Sequence, residues 1–472
     1  MLKTASATGL RMLRAPMLAG TSPIRINNAP MFKFHAHTSA TPKKTLVLLG
    51  TGWGTTTILK NLDTKNFNVV VVSPRNYFLF TPLLPSCTVG TTESRSIMEP
   101  IRHIVGRRGK DMRFYEAECT DIDMSRKELK LTRTLEGADT QSTLRINYDH
   151  LVVGVGGTYN TFGTPGVEKH ACFLKEMNDA SKIRRRLKDA IEKASFGELA
   201  DEERDRLLHV VVVGGGPTGV EFAGEVHDLV SEDLAKWVPH LSDKIKITLI
   251  EALPRILPAF DERLASYTQM TFAKNGIQLR TSTRVKEVTD RVLKVESNGV
   301  ESEVPYGTIV WAAGIRARQF AHTLRAKVPQ VQTSPRGLII DDFLRVRGTH
   351  DIWALGDCTV SKNAPLAQVA SQQGKWLARA LNDLATNDNA FDAIELRKPF
   401  TYASNGSLAY IGGEKAVAEL PWFNRQIALG GPFASVFWKA YCLWELSSVR
   451  SSLSVATDWV KRAIFGRTMS VD

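Results

Sequence analysis

The sequence predicts an α/β fold with two Rossmann-like units, the second inserted in the first, and a separate C-terminal region. Three observations predict it. A short apolar run that enters glycines and then a helix occurs twice, at 45–54 and at 209–219. Further apolar runs end in glycine near 154, 314 and 356, as buried parallel strands do at their carboxyl ends. From about residue 385 the composition shifts and becomes aromatic.

The run T-L-V-L-L-G at 45–50 is the first strand, Thr55–Leu62 a helix and Asn68–Val72 the next strand, a β-α-β unit. Ile97–Lys110 is a basic amphipathic segment whose Arg107, Arg108 and Lys110 form a solvated face. Residues 111–150 alternate polar and apolar like an antiparallel meander, and Leu151–Val155 is a buried strand. The pattern then restarts with a charged helical stretch at 175–206 and the strand His209–Val213. A long crossover helix, Val220–Val238, leads to the strand Lys246–Ile250, closed by Glu251. A second meander spans 285–304, and the strand Ile309–Ala312 runs to Gly314. Ile352–Leu355 enters Gly356-Asp357, and a helix begins near Pro365. The chain thus divides into a leader at 1–44, a first unit at 45–165 and 325–384, an inserted unit at 166–324, and a C-terminal region at 385–472.

The glycines say what the units hold. In Gly50-Thr51-Gly52-Trp53-Gly54-Thr55 the first glycine permits a tight turn. The second lets a pyrophosphate approach backbone N–H groups at a helix N-terminus. The third fingerprint position is Thr55, so the match is imperfect. Gly214-Gly215-Gly216-Pro217-Thr218-Gly219 satisfies all three positions through Gly214, Gly216 and Gly219. Glu251 closes the second strand of that unit, where a carboxylate binds ribose hydroxyls and repels a 2′-phosphate, favouring NAD over NADP. The first unit has no acid there; its second strand ends Val72-Ser73-Pro74-Arg75, leaving Ser73 and backbone groups for the ribose. Two dinucleotide loops in one chain bring two cofactors face to face for hydride transfer.

The net charge is +12 over 472 residues. Residues 1–44 carry seven of those positive charges and no acid; the first acid is Asp63. This Arg-, Ser- and Ala-rich leader has the composition of a mitochondrial transit peptide, the plain alternative being a basic disordered tail. With the excess charge in the leader, nucleic-acid binding is not expected. The five cysteines lie far apart with no C-x-x-C, so no metal site is expected. No run of eighteen apolar residues exists to span a bilayer.

Several segments together are specific. G-T-G-W-G, V-S-P-R-N-Y-F-L-F-T-P-L-L-P (72–85) and E-S-R-S-I-M-E-P-I-R (93–102) resemble the type II NADH:quinone oxidoreductases, also called alternative NADH dehydrogenases. So do W-A-A-G-I (311–315), A-L-G-D-C (354–358) and A-Q-V-A-S-Q-Q-G (367–374), and the resemblance covers about 45–465. It implies a single-subunit, non-proton-pumping enzyme that carries electrons from NADH through non-covalent FAD to ubiquinone. It implies peripheral attachment to the mitochondrial inner membrane. With no EF-hand loop, the calcium-regulated branch is not implied.

The resemblance also assigns roles. Gly50, Gly52, Gly54, Ser73, Gly356 and Asp357 fall in the FAD site, and Gly214, Gly216, Gly219, Glu251 and Gly314 in the NADH site. Asp357 resembles an aspartate near the FAD ribityl and pyrophosphate; otherwise it is a helix N-cap. Gln368 and Gln372, four apart on one helix face with Ser371 between them, resemble quinone-site residues; otherwise they are a surface pair. Glu221 resembles a catalytic acid near flavin and nicotinamide; otherwise it complements a helix dipole.

In the tail, Phe433, Phe437, Tyr441 and Trp444 fall on one helical face, and Val449, Leu453, Ala456, Val460 and Ile464 on another, followed by Lys461, Arg462 and Arg467. The pattern fits interfacial helices with bases meeting anionic lipid, a homodimer seam, or a core-facing pair. Two rival functions remain. A sulfide:quinone oxidoreductase needs redox cysteines such as Cys172 and Cys358, and has no use for an intact second loop. A flavoprotein resembling apoptosis-inducing factor would signal through a basic surface.

Overall fold

The computed structural model describes residues 43–106, 112–134, 141–386, 392–395, 397–422 and 425–469. Residues 1–42 of the leader, and with them the transit-peptide expectation, lie outside them, as do Arg107, Arg108 and Lys110; Lys44, the last leader residue, already belongs to the first strand.

The strands of the two central sheets and of the ribbon between them are β1 (Lys44–Leu49), β2 (Phe67–Ser73), β3 (Arg113–Glu116), β4 (His150–Val153), β5 (Gly157–Tyr159), β6 (Cys172–Phe173), β7 (His209–Val213), β8 (Lys246–Ile250), β9 (Ile277–Arg280), β10 (Thr308–Trp311), β11 (Ile315–Ala317) and β12 (Ile352–Ala354). The helices that position the sites are α1 (Trp53–Asn61), α2 (Pro217–Asp228) and α3 (Ala367–Thr386). The C-terminal region follows with β13 (Ser407–Gly412), β14 (Lys415–Trp422), β15 (Arg425–Gly431), α4 (Pro432–Glu445) and α5 (Val449–Phe465).

Two five-stranded parallel sheets form the centre, ordered β12-β4-β1-β2-β3 and β6-β10-β7-β8-β9. Their strands are apolar on both faces because helices cover both faces; Val47, Val71, Val152, Val212 and Val310 are all fully buried. Each such side chain contributes about 1.5–3 kcal/mol. Three-stranded antiparallel meanders, at 118–147 and 283–305, branch from the two sheets. An antiparallel ribbon of β5 and β11 joins the units where the chain passes between them. The long crossover helix is interrupted: α2 passes into a π-helical stretch, Leu229–Leu234, before a last turn, Ala235–Trp237.

The C-terminal region begins with strands that the sequence pattern leaves unassigned. β13, β14 and β15 form a three-stranded antiparallel sheet before the two helices. In β13 and β14 the alternation is muted because both faces are covered, with Ala409, Ile411, Val417 and Ala418 fully buried. The helices leave Phe433, Val436, Phe437 and Trp444 exposed on α4, and Val449, Leu453, Val460 and Ile464 on α5. Trp438 turns inward and packs against Tyr410 and Trp459. The bases do not all face outward. Arg462 pairs with the partly exposed Glu414 and Glu232, and Arg467 is buried on Asp233 and Glu232. Lys461 is exposed. Among the described residues no helix is long and apolar enough to cross a membrane.

Candidate functional site

The first cleft opens at the carboxyl ends of β1, β4 and β12, where the strand order reverses. Gly50 has φ +100°, and a Cβ there would lie 2.3 Å from the Gly154 carbonyl oxygen, so only glycine makes this turn. Gly52 caps α1 without a side-chain bond, and a Cβ there would meet nothing within 4 Å. Backbone donors at the start of α1 therefore face open space, without an acid in the first turn. Gly54 is turned elsewhere: a Cβ on it would strike Leu355 at 2.0 Å, and one on Gly374 would meet the Gly54 carbonyl at 2.3 Å. It lets α1 and α3 approach, the task of the third fingerprint glycine, and so Thr55 is tolerated.

Gly356 has φ +71° and its amide donates to Gln373 Oε1 at 2.8 Å. Asp357 follows at the cleft, its Oδ2 accepting from Lys175 Nζ at 3.2 Å. Ser73 has partners within the protein. Its buried hydroxyl contacts Thr51 Oγ1 at 3.0 Å and accepts from the Arg75 amide at 3.1 Å, so it ties the glycine loop to the strand end. Arg75 reaches instead to Glu176 at 2.6 Å, and Arg318 holds the other oxygen of the same carboxylate. This trio links the first unit to the segment after the ribbon. Partly exposed pairs of this kind add little stability, ~0–1 kcal/mol each, so their effect here is position.

The second cleft lies at the carboxyl ends of β7, β8 and β10. Gly214, at φ +114°, packs on the backbone of Ala312 and Ala313; Gly216 is open like Gly52; Gly219 lies against the Gly214 carbonyl, 2.0 Å from where a Cβ would sit. Glu251 faces this loop, its Oε2 accepting from the Gly215 amide at 2.6 Å and its Oε1 from Leu253 at 2.8 Å. The carboxylate thus shapes the turn and leaves its charge beside it. Gly314, at φ +71°, lies under the ring of the exposed Phe162, where a Cβ would be 2.4 Å from the ring.

Glu221 is buried in the first turns of α2, its Oε1 accepting from the Tyr410 amide at 3.3 Å. Burial pushes its carboxyl up to about 8, only partly offset by the Tyr410 amide and the Trp438 indole. A buried acid that stays mostly protonated at neutral pH is equipped for proton delivery, and this one has no ion-pair partner among the described residues.

The glutamine pair sits on one face of α3, and that face meets residues 403–406. Gln368 Nε2 donates to the Gly406 carbonyl at 2.8 Å while its Oε1 accepts from Asn405 at 3.0 Å. Gln372 repeats the pattern on Ala403, at 2.7 and 3.1 Å. Each amide acts as a peptide would, clamping the segment that leads into β13. One N–H of each stays available, so a quinone oxygen would be met by an already fixed donor. Ser371 does not join them; it points to α1 and shares a 2.9 Å bond with Thr57.

All five cysteines are buried and unpaired with one another. Cys358 is pushed up to about 12 by burial, and burial also raises Cys172, so neither is a reactive thiolate. No cluster that could hold a metal ion occurs among the described residues. Sequence reasoning missed Lys175, Glu176, Gln373, Tyr410 and Trp438. Only Gln373 was within reach, one residue beyond the glutamine pair.

A family model described as pyridine nucleotide-disulphide oxidoreductase matches residues 44–374, and one for the NDH2 C-terminal domain matches 405–468. The mitochondrial external alternative NADH-ubiquinone oxidoreductase of Yarrowia lipolytica is 45% identical over 470 residues, covering 91% of this chain and 81% of that protein. The chain belongs to the type II NADH:ubiquinone oxidoreductase family. The family's fold is shared by a solved NDH2 of Plasmodium falciparum in complex with NADH, with a TM-score of 0.84 at 28% identity, over 91% of this chain and 100% of that one. The sulfide:quinone oxidoreductase of Aquifex aeolicus, at 19% identity and a TM-score of 0.66 over 90% of this chain and 96% of that one, shares the fold.

Proposed function

We propose that this chain is a mitochondrial, single-subunit, non-proton-pumping NADH:ubiquinone oxidoreductase that holds FAD non-covalently and takes NADH as its electron-donating substrate. One observation carries the reading: two open glycine turns stand at the carboxyl ends of two parallel sheets joined by a single ribbon, in a chain of this family. FAD fits the first cleft on the donor set, because Gly52 leaves room for a pyrophosphate and α1 presents free N–H groups. When bound, FAD supplies the two-electron centre between nicotinamide and quinone.

The protein's own part is positioning. Gly50, Gly52 and the start of α1 hold the pyrophosphate, with Asp357, set by Lys175, accepting cofactor hydroxyls. Gly214, Gly216 and Gly219 do the same for NADH, and Glu251 disfavours a 2′-phosphate. Glu221 holds a proton at its carboxyl for delivery. Gln368 and Gln372 offer their remaining N–H groups to a quinone carbonyl. We place the enzyme as a homodimer lying peripherally on the inner-membrane surface through the exposed faces of α4 and α5.

The sulfide reading loses ground because Cys172 and Cys358 are buried and protonated. Anaerobic stopped flow separates them. NADH should bleach the flavin absorbance within the turnover time and a soluble ubiquinone should restore it. Bleaching by sulfide and not by NADH would overturn the proposal.

A further inference from the structure

Away from the two clefts, one face of α2 carries a row of buried acids. Glu221, Glu225 and Asp228 follow one another by a helical turn and are all buried. Asp228 is satisfied nearby: it accepts from Tyr410 Oη and the Gly413 amide, each at 2.7 Å, and contacts the His227 ring at 3.1 Å. Burial pushes that carboxyl up, but these bonds and Arg467 outweigh it and hold it low. Glu225 has only hydroxyls at hand, Ser86 Oγ and Thr91 Oγ1, each donating at 2.6 Å.

Its counter-charge arrives from the far end of the chain. After α5, Gly466 turns the backbone inward at φ +81°. The Arg467 side chain is fully buried, and Nη1 donates to Asp233 and Glu232 at 2.7 Å each. Its backbone amide donates to Asp233 Oδ1 at 3.1 Å. Its Nε donates at 2.9 Å to Thr91 Oγ1, the same hydroxyl that donates to Glu225. The next residue, Thr468, lies against Gly90, where a Cβ would be 2.2 Å from its carbonyl oxygen. Arg467 and Thr468 are therefore seated beside Thr91 and Gly90, directly after a helix with an exposed apolar face.

We propose that Arg467 is a positioning residue for Glu221, acting across Thr91 and Glu225, so that the seating of the C-terminal end is coupled to the buried acid. The proposal rests on the reading of Glu221 as the proton-delivering group. The groups facing Glu221 are Glu225 on its own helix, the Tyr410 amide on β13, and Trp438 and Cys442 on α4; burial keeps the Cys442 thiol protonated. Facing Glu225 are Ser86, Thr91, Asp228 and Arg467, with Cys87 behind them under Arg184. Burial raises Glu225, and Arg467 is the foremost influence opposing it. Both Glu225 oxygens accept hydroxyl donors, the arrangement of a carboxylate, and its charge in turn raises Glu221. Without the Arg467 charge, Glu225 takes up a proton, its repulsion vanishes, and Glu221 releases its proton at lower pH.

The test is the alkaline limb of the NADH:quinone turnover profile, measured on flavin-loaded enzyme. Glu221→Gln should remove the limb. Arg467→Gln and Glu225→Gln should each move it to lower pH, by about one unit for a charge one helical turn away. Arg467→Lys, which keeps the charge, should leave it near its wild-type position. Thr91→Val cuts the link while leaving Arg467 on Asp233, and should move the limb in the same direction should Arg467→Gln fail to load flavin. A limb that stays in place in Glu225→Gln and Thr91→Val, yet is lost in Glu221→Gln, overturns the coupling and leaves Glu221 standing. A limb that survives Glu221→Gln overturns both.

Discussion

Gln372 grips Ala403 from both sides: its Nε2 donates to the Ala403 carbonyl at 2.7 Å and its Oε1 accepts from the Ala403 amide at 3.1 Å. Gln368 does the same one turn earlier on Asn405 and Gly406. The pair therefore joins α3 to the chain that enters the C-terminal sheet. Gln368→Ala with Gln372→Ala should cost a few kcal/mol, four hydrogen bonds at about 0.5–1.5 kcal/mol each, with solvent replacing part of the loss. In stopped flow the double variant should keep flavin reduction by NADH and slow reoxidation by quinone. Equal impairment of NADH reduction, with normal reoxidation, would place the quinone elsewhere.

Parallel strands were legible in the sequence because burial on both faces leaves unbroken apolar runs, and His209–Val213 and Lys246–Ile250 have in the structure the limits the sequence suggested. The β13–β15 sheet was not, because its strands carry Gly, Ala and Pro and lack the unbroken β-branched runs of the central sheets. Residue types at the glycine turns were readable, since a phosphate demands backbone access. Side-chain direction was not. Ser73 and Ser371 are among the residues expected to act, yet their hydroxyls bond Thr51 and Thr57, partners distant in sequence.

Glu251 sets both turn shape and charge at the second loop. Glu251→Gln keeps the size but offers one acceptor oxygen where the loop presents two amides, Gly215 and Leu253. NADH turnover should therefore fall, and the NADPH/NADH ratio of kcat/KM should rise about tenfold or more, each tenfold being about 1.4 kcal/mol. An unchanged ratio in steady-state assays would remove the carboxylate from the 2′-position.

Stability should depend on pH through Glu221. Its folded carboxyl is raised to about 8 from an ordinary value of 4.5. The raised direction means that its contribution is fully present below the unfolded value and is lost as pH climbs toward the folded one. Glu221→Gln escapes that loss. Thermal melts of the flavin-loaded proteins should nearly coincide at about pH 4 and separate in favour of the variant by about pH 8, by a few kcal/mol at most. Parallel curves across that window would mean that Glu221 ionises without penalty.

The exposed helical faces should hold the membrane. Phe433 is 90% exposed, Trp444 85% and Val449 77%, a concentration of large apolar side chains that water disfavours. At ~25 cal/mol per Å², burying such faces in lipid or a second subunit is worth several kcal/mol. Cutting the chain near residue 430 cannot test this, because it also removes Trp438, Val455 and Arg467 from the interior. Surface changes can. Phe433→Ser, Trp444→Ser and Val449→Ser combined touch no buried contact, so FAD loading and reduction of soluble acceptors by NADH should stay near wild type. Co-sedimentation with liposomes should fall at least tenfold, together with activity toward long-tailed ubiquinone. The bases contribute less than their number suggests, since Arg462 and Arg467 are already paired with carboxylates of the same chain; added salt should therefore weaken binding only modestly. If the triple variant still pellets with anionic liposomes but elutes as a smaller species on gel filtration, these faces join two subunits and the lipid contact lies elsewhere.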